Sequence, residues 1–134
     1  MKYDTEFWNK YADENESRYN EEFAKYVTNL VSSLPGVQSV LEIGCGTGID
    51  LRLFPDSFQL HGIDLNEHAL EIAREKVSNV NFQKGDIAKL PFEDCSIDFV
   101  FTHGLMNYLD DDLSLIHISE PTRQEAISYA VFCL

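Results

Sequence analysis

Basic residues are scarce in this chain. Ten Lys and Arg stand against twenty-three Asp and Glu, giving a net charge of −13 and a sequence pI near 4.5. Such a surface repels phosphate backbones, and the ten cations are scattered rather than gathered into a patch, so nucleic acid is disfavoured as a partner. Long apolar runs are missing as well. None approaches the ~18 residues of a membrane span, and the opening "MKYDTEFWNK" has no apolar signal core, so neither a span nor a targeting segment is expected. Cysteine is sparse and odd in number. Cys45, Cys95 and Cys133 are too far apart for a zinc site or a disulfide framework, which suits a reducing, cytoplasmic setting. His61, His68 and His103 lack ligand spacing with carboxylates or cysteines, so no metal centre is expected.

What is present is an ordinary globular composition, 44% hydrophobic and 25% charged over 134 residues, which fits one domain. Between residues 4 and 33, Phe7, Tyr11, Phe23, Tyr26, Val27, Leu30 and Val31 recur at three- and four-residue spacings with acids between them. The polar run "ADENES" predicts a break there, and so two helices, the second ended by Pro35 and Gly36. "VQSVLEI" reads as a buried strand, "GIDLRLF" as a short helix and "FQLHGIDL" as a second strand. Asn66 then caps a helix whose apolar face is Ala69, Leu70, Ile72, Ala73 and Val77. "VNFQKGD" and "IDFVFTHG" complete four strands. This alternation is the pattern of an open, mostly parallel α/β sheet with crossover helices.

The stretch "LEIGCGTGID" holds Gly44, Gly46 and Gly48 directly behind an apolar strand. A strand entering a glycine-rich turn and then a helix offers backbone N–H groups and a positive helix end to a polar or anionic ligand. The dinucleotide pattern GxGxxG requires a further glycine where Ile49 or Leu51 stands, and no Gly-Lys-Ser/Thr follows for a phosphate loop. Glu42, Gly44, Gly46 and Gly48 instead resemble the first motif of the class I S-adenosylmethionine-dependent methyltransferases, an acid followed by G-x-G-x-G. The likeness continues in order through "HGIDLN" and "GDIAKLPFEDCSIDFVF", over roughly residues 36 to 109.

That resemblance implies a Rossmann-like three-layer fold and S-adenosyl-L-methionine as cofactor. It implies that the glycine loop holds the methionine part and that Asp64 accepts hydrogen bonds from both ribose hydroxyls, with Leu65 packing on the adenine. Asp86 would read the adenine amino group, Ile87 would offer a backbone N–H and an apolar wall, and His103 would sit beside the methyl donor. Each residue also has a plainer reading: Asp64 as a helix-capping acid, Asp86 as a strand terminator, His103 as a packing or positioning residue rather than a catalytic base. "FWNKYADENESRYN" resembles the helices that cover the cofactor in small-molecule methyltransferases, making Trp8, Tyr11, Arg18 and Tyr19 candidates to touch cofactor or acceptor. They serve equally as an aromatic face packed on the sheet. The family's Asn/Asp-Pro-Pro-aromatic motif and a Pro-Cys nucleophile are both absent, so the expected acceptor is a small molecule. "FTHGLMNYLDDD" loosely resembles methylases associated with nonulosonic sugar biosynthesis. A non-catalytic ligand-binding module and an NAD-dependent oxidoreductase are the alternatives, the latter disfavoured by Ile49.

Residues 113 to 134 read differently. "LSLIHISEPTR" resembles the in-frame translation of a transposase-based sequencing adapter and "ISYAVFCL" the adjoining flow-cell primer, with "QEA" where a sample index would sit. The expected organisation is therefore an N-terminal helical cap (1–35), the first half of a methyltransferase domain (36–112) and a non-native tail (113–134). His117 and Cys133 then carry no functional weight. On this reading the fourth strand becomes a bare edge, and the chain as it stands is not a working enzyme.

Overall fold

The computed structural model describes residues 4–18, 21–86, 89–93, 96–103 and 127–130. Two helices, α1 (Thr5–Arg18) and α2 (Glu21–Ser33), precede strand β1 (Ser39–Ile43) and one 3₁₀ turn at Ile49–Leu51. Strand β2 (Gln59–Asp64), helix α3 (Glu67–Lys76) and strands β3 (Val80–Lys84), β4 (Phe99–His103) and β5 (Ile127–Ala130) follow. The strands form one sheet in the order β3-β2-β1-β4-β5, the first four parallel and β5 antiparallel to β4. The chain steps outward from β1 to β2 to β3 and then returns across β1 to β4. Strand order therefore reverses between β1 and β4, the place where open α/β sheets bind ligands at their carboxyl ends.

The helices form where the apolar spacing placed them. Phe23, Ala24, Val27 and Val31 bury one face of α2. In α3, Asn66 accepts the Ala69 N–H at 2.9 Å as the N-cap, and Ala69, Leu70 and Ala73 are buried. Those faces meet Val40, Leu60, Phe82, Phe99 and Phe101 in the main core. The opposite face of the sheet carries a smaller cluster of Leu41, Ile43, Ile63, Ile97 and Val100, against which Leu90 and Phe92 pack. Phe101 is fully buried beneath Phe23 and Phe54, and truncating such a ring to alanine costs roughly 3–5 kcal/mol.

Four expectations need correction. "ADENES" does not interrupt a helix but lies within α1, because Ala12 is buried, Asp13 meets His68 at 2.6 Å and Asn15 donates to Thr47 Oγ1 at 3.0 Å. "GIDLRLF" holds only a single 3₁₀ turn: Leu51 and Phe54 are both buried at a three-residue spacing, and Pro55 follows. The apolar spacing of the two helices does not mark one buried face throughout, since Phe7 and Tyr26 are exposed. Finally, β4 is not an edge, since the backbone of residues 127–130 pairs along it from Val100 to His103.

Candidate functional site

The turn after β1 is built on hydrogen bonds from β2. Gly44 and Cys45 both donate to the Ile63 carbonyl, at 2.7 and 3.1 Å, which bends the chain sharply across the end of β2. Gly46 and Gly48 take left-handed backbone angles, φ 54° and 78°, that side chains rarely tolerate. Their surroundings differ. A β-carbon on Gly48 would strike the Phe82 ring at 2.7 Å, so this glycine serves close packing on β3. One on Gly46 would meet nothing within 4 Å, so here the backbone fronts open space.

That space is a cavity of about 610 Å³ between the sheet end and α1. Of the residues expected from sequence, it gathers Gly44, Gly46, Asp64, Leu65 and His103, with Trp8 and Tyr11 on the α1 side. Three polar bridges fix α1 across it: Asn9 to Asn66 at 2.8 Å, Asp13 to His68 at 2.6 Å and Asn15 to Thr47 at 3.0 Å. Glu42 and Gly48 stand behind the cavity wall, Glu42 being 1% exposed. Asp86 is exposed, turned by a bridge to Lys89, and does not line the cavity; Ile87 and Tyr19 lie outside the described residues, and Arg18 ends α1.

Asp64 ends β2. Its Oδ2 accepts the Gly46 N–H at 2.8 Å and its Oδ1 the Asn66 N–H at 2.9 Å, and the Leu65 N–H is a third donor to the carboxylate, which leaves one acceptor site open. Burial raises its pKa, against the lowering effect of those N–H donors. Leu65 beside it holds an apolar side chain 44% exposed at the cavity. Glu42 is raised well above the usual carboxylate range, first by burial, then by the charge of Asp50 and a hydrogen bond shared with it, then by Asp64. Its Oε1 has no hydrogen-bond partner. Burial likewise pushes the Cys45 thiol up, keeping it protonated and inert. His103 ends β4, 3.0 Å from Asp50 Oδ2 through Nδ1 and stacked on Phe23 with ring centres 3.9 Å apart.

Asn9, Asn15, Thr47 and Asp50 are the site residues that sequence reasoning missed. Asn15 sat in the run read as a break and Asp50 in the segment read as a helix. Only the position of Thr47 inside the glycine loop was a usable signal. No group of three metal-ligating side chains occurs among the described residues, and no helix among them is long and apolar enough to cross a membrane.

A strand-end carboxylate beside a glycine turn at the switch point is shared with one large group of proteins. A sequence profile of the methyltransferase domain matches residues 40–125. The chain belongs to this family. Its relatives and structural neighbours place it among the class I S-adenosylmethionine-dependent methyltransferases. It is 35% identical over 98 residues to phosphoethanolamine N-methyltransferase 2 of Caenorhabditis elegans, covering 68% of this chain and 22% of that one. It is 36% identical over 102 residues to demethylmenaquinone methyltransferase of Staphylococcus aureus, covering 70% and 41%. The chain thus spans less than half the length of either relative. Among solved structures, S-adenosylmethionine-bound CalS10, an amino pentose methyltransferase from Micromonospora echinaspora, superposes with a TM-score of 0.63. The two are 25% identical over 75% of this chain and 44% of that one. Phosphoethanolamine N-methyltransferase 1 of Haemonchus contortus, in complex with phosphoethanolamine and S-adenosylhomocysteine, gives a TM-score of 0.58 at 29% identity, covering 78% and 25%.

Proposed function

We propose that this chain binds S-adenosylmethionine at the carboxyl ends of β1 and β2 and carries the cofactor half of an enzyme that methylates a small molecule. The observation that supports this most is the open cradle at Gly46. A left-handed glycine faces a cavity with nothing where a side chain would go, and its N–H is held by Asp64, whose carboxylate keeps an acceptor site to spare. A spare carboxylate acceptor beside the cavity suits a ribose hydroxyl. Leu65, exposed beside it, suits an aromatic base. Gly44 and Gly46 would face the methionine part, with Glu42 and Gly48 shaping the turn from behind. Asp86 and Ile87 follow β3, where the family resemblance puts the adenine contacts.

When bound, the cofactor supplies an activated sulfonium methyl group. The work left to the protein is alignment and the exclusion of water, and α1 with Trp8 and Tyr11 provides a wall for both. His103 is the candidate base where the acceptor atom is a hydroxyl or an ammonium; a carboxylate acceptor needs none. The relatives include phosphoethanolamine and trans-aconitate methyltransferases, and with the acidic surface this supports a small-molecule acceptor over nucleic acid. A cytoplasmic setting is proposed on the sparse, widely spaced cysteines.

The division into a cap (1–35), half a methyltransferase domain (36–112) and a foreign tail (113–134) is also carried forward as a proposal. Pairing of residues 127–130 with β4 is compatible with it, because an exposed strand edge recruits whatever extended backbone is near. Calorimetry of the full chain with S-adenosylmethionine, S-adenosylhomocysteine, NAD and ATP tests the cofactor reading. Binding of the first two and not the others is expected, and tightest binding to NAD would overturn it.

A further inference from the structure

His103 is held from two directions by groups far from it in sequence. Its ring lies nearly flat on Phe23, at an interplanar angle of 29°, and its Nδ1 is 3.0 Å from Asp50 Oδ2. Asp50 is itself largely buried. The imidazole is 37% exposed and lines the cavity next to Gly44 and Gly46. Nothing in the motif pattern of the sequence joins these three residues.

We propose that Asp50 fixes the His103 imidazole as its Nδ1–H tautomer, leaving Nε2 as the basic nitrogen free for the cavity. This rests on the methyltransferase reading only for what Nε2 would serve, not for the tautomer itself. The 3.0 Å contact joins Nδ1 to a carboxylate oxygen, and a carboxylate offers acceptor sites only, so Nδ1 supplies the hydrogen. Phe23, stacked on the ring, holds the imidazole in place. A carboxylate behind an imidazole sets tautomer and orientation in the same way in the serine hydrolase triad. Asp50 is thus a positioning residue for His103.

The test is nitrogen NMR of the full chain with labelled histidine at about pH 8–9, above the ordinary histidine range, with the His103 signals assigned by their loss in His103→Gln. The expected parent spectrum has a protonated Nδ1 and an unprotonated Nε2 for His103. Asp50→Asn, which turns an amide donor toward Nδ1, is expected to reverse the two. A parent protonated at Nε2, or a tautomer indifferent to Asp50→Asn, overturns the proposal. The parent measurement alone decides it if the Asp50 variant fails to fold. S-adenosylhomocysteine binding, measured on the same samples, bears separately on the methyltransferase reading: its absence with the tautomer intact would remove that reading and leave the tautomer assignment standing.

Discussion

The two ends of the central strands use carboxylates in opposite ways. At the amino end, Asp98 accepts the backbone N–H groups of Gln38 and Ser39 at 2.9 and 3.0 Å and the Ser39 hydroxyl at 3.1 Å. The Asp98 N–H returns a bond to Ser39 Oγ at 2.9 Å, so the entrances of β1 and β4 are clamped together. Those donors hold the Asp98 pKa below the ordinary carboxylate range. At the carboxyl end, Glu42 and Asp64 are both raised, chiefly by burial, and Glu42 keeps an oxygen with no partner. One end is satisfied and contributes stability. The other accepts an electrostatic cost, and sites that bind or react are where such costs concentrate.

The largest expected effect breaks the carboxyl end alone. Gly46→Val puts a branched side chain at φ 54° into the open cradle. The strain is about 1–2 kcal/mol, but the filled space is expected to abolish S-adenosylhomocysteine binding altogether in calorimetry. A melting curve on the same sample is expected to show a fold that persists, since no neighbour stands within 4 Å of the new β-carbon. Retained affinity would mean that the cavity at Gly46 is not the cofactor site.

A pair of substitutions then sets the two ends against each other. Asp64→Ala removes a carboxylate from the cavity and is expected to weaken cofactor binding by about 1–3 kcal/mol, the range for charge-assisted hydrogen bonds. Asp98→Ala strands two backbone N–H groups and a hydroxyl, and is expected to lower unfolding stability by a similar 1–3 kcal/mol while leaving affinity unchanged. Calorimetry and urea titration on both variants check this. If Asp98→Ala weakens binding as much as Asp64→Ala does, the two ends are not separable.

Much of this division was legible in the sequence where the cause is local. The Asn66 cap, the apolar faces of α2 and α3 and the four parallel strands follow from spacing within a few residues. The gathering of Gly44, Gly46, Asp64 and Leu65 follows from strand ends lying side by side. Contacts set by tertiary placement were not legible. Asp50 meets His103 across 53 positions and Asn15 meets Thr47 across 32, and neither residue belongs to a pattern. A polar run within a helix that covers a polar loop looks, in one dimension, like a helix break. Pairing of residues 127–130 with β4 was missed for a related reason: strand recruitment by an edge depends on the backbone of the edge more than on the sequence recruited.

The pH dependence of stability sharpens the comparison further, with opposite signs at the two ends. Asp98 is lowered on folding, so its contribution is present above its unfolded pKa and is lost as pH falls through the lower folded value. Glu42 is raised, so its contribution is present below its unfolded pKa and is lost as pH rises through the folded value. Unfolding midpoints measured from acid to alkaline pH are expected to show Asp98→Ala flattening the acid side of the profile. Glu42→Gln, which cannot ionise, is expected to flatten the decline toward higher pH. If Glu42→Gln leaves that side unchanged, the carboxyl end carries no electrostatic cost and the contrast with Asp98 dissolves.

The smallest effect is expected where a carboxylate lies near the site yet in water. Asp13 of α1 meets His68 of α3 at 2.6 Å, a shorter contact than any at the Asp98 clamp, but the two side chains are 59% and 39% exposed. Solvent screening and the entropy of holding two mobile side chains limit such a pair to roughly 0–1 kcal/mol. Asp13→Ala is therefore expected to move the unfolding free energy by less than about 1 kcal/mol. Asn15→Ala, two residues on, is the informative control, because it deprives the buried Thr47 Oγ1 of its partner inside the glycine loop. It is expected to cost more, about 1–3 kcal/mol, and to reduce cofactor affinity as well. Should the order reverse, with the short exposed contact outweighing the buried one, then distance rather than burial would govern how α1 is held over the cavity.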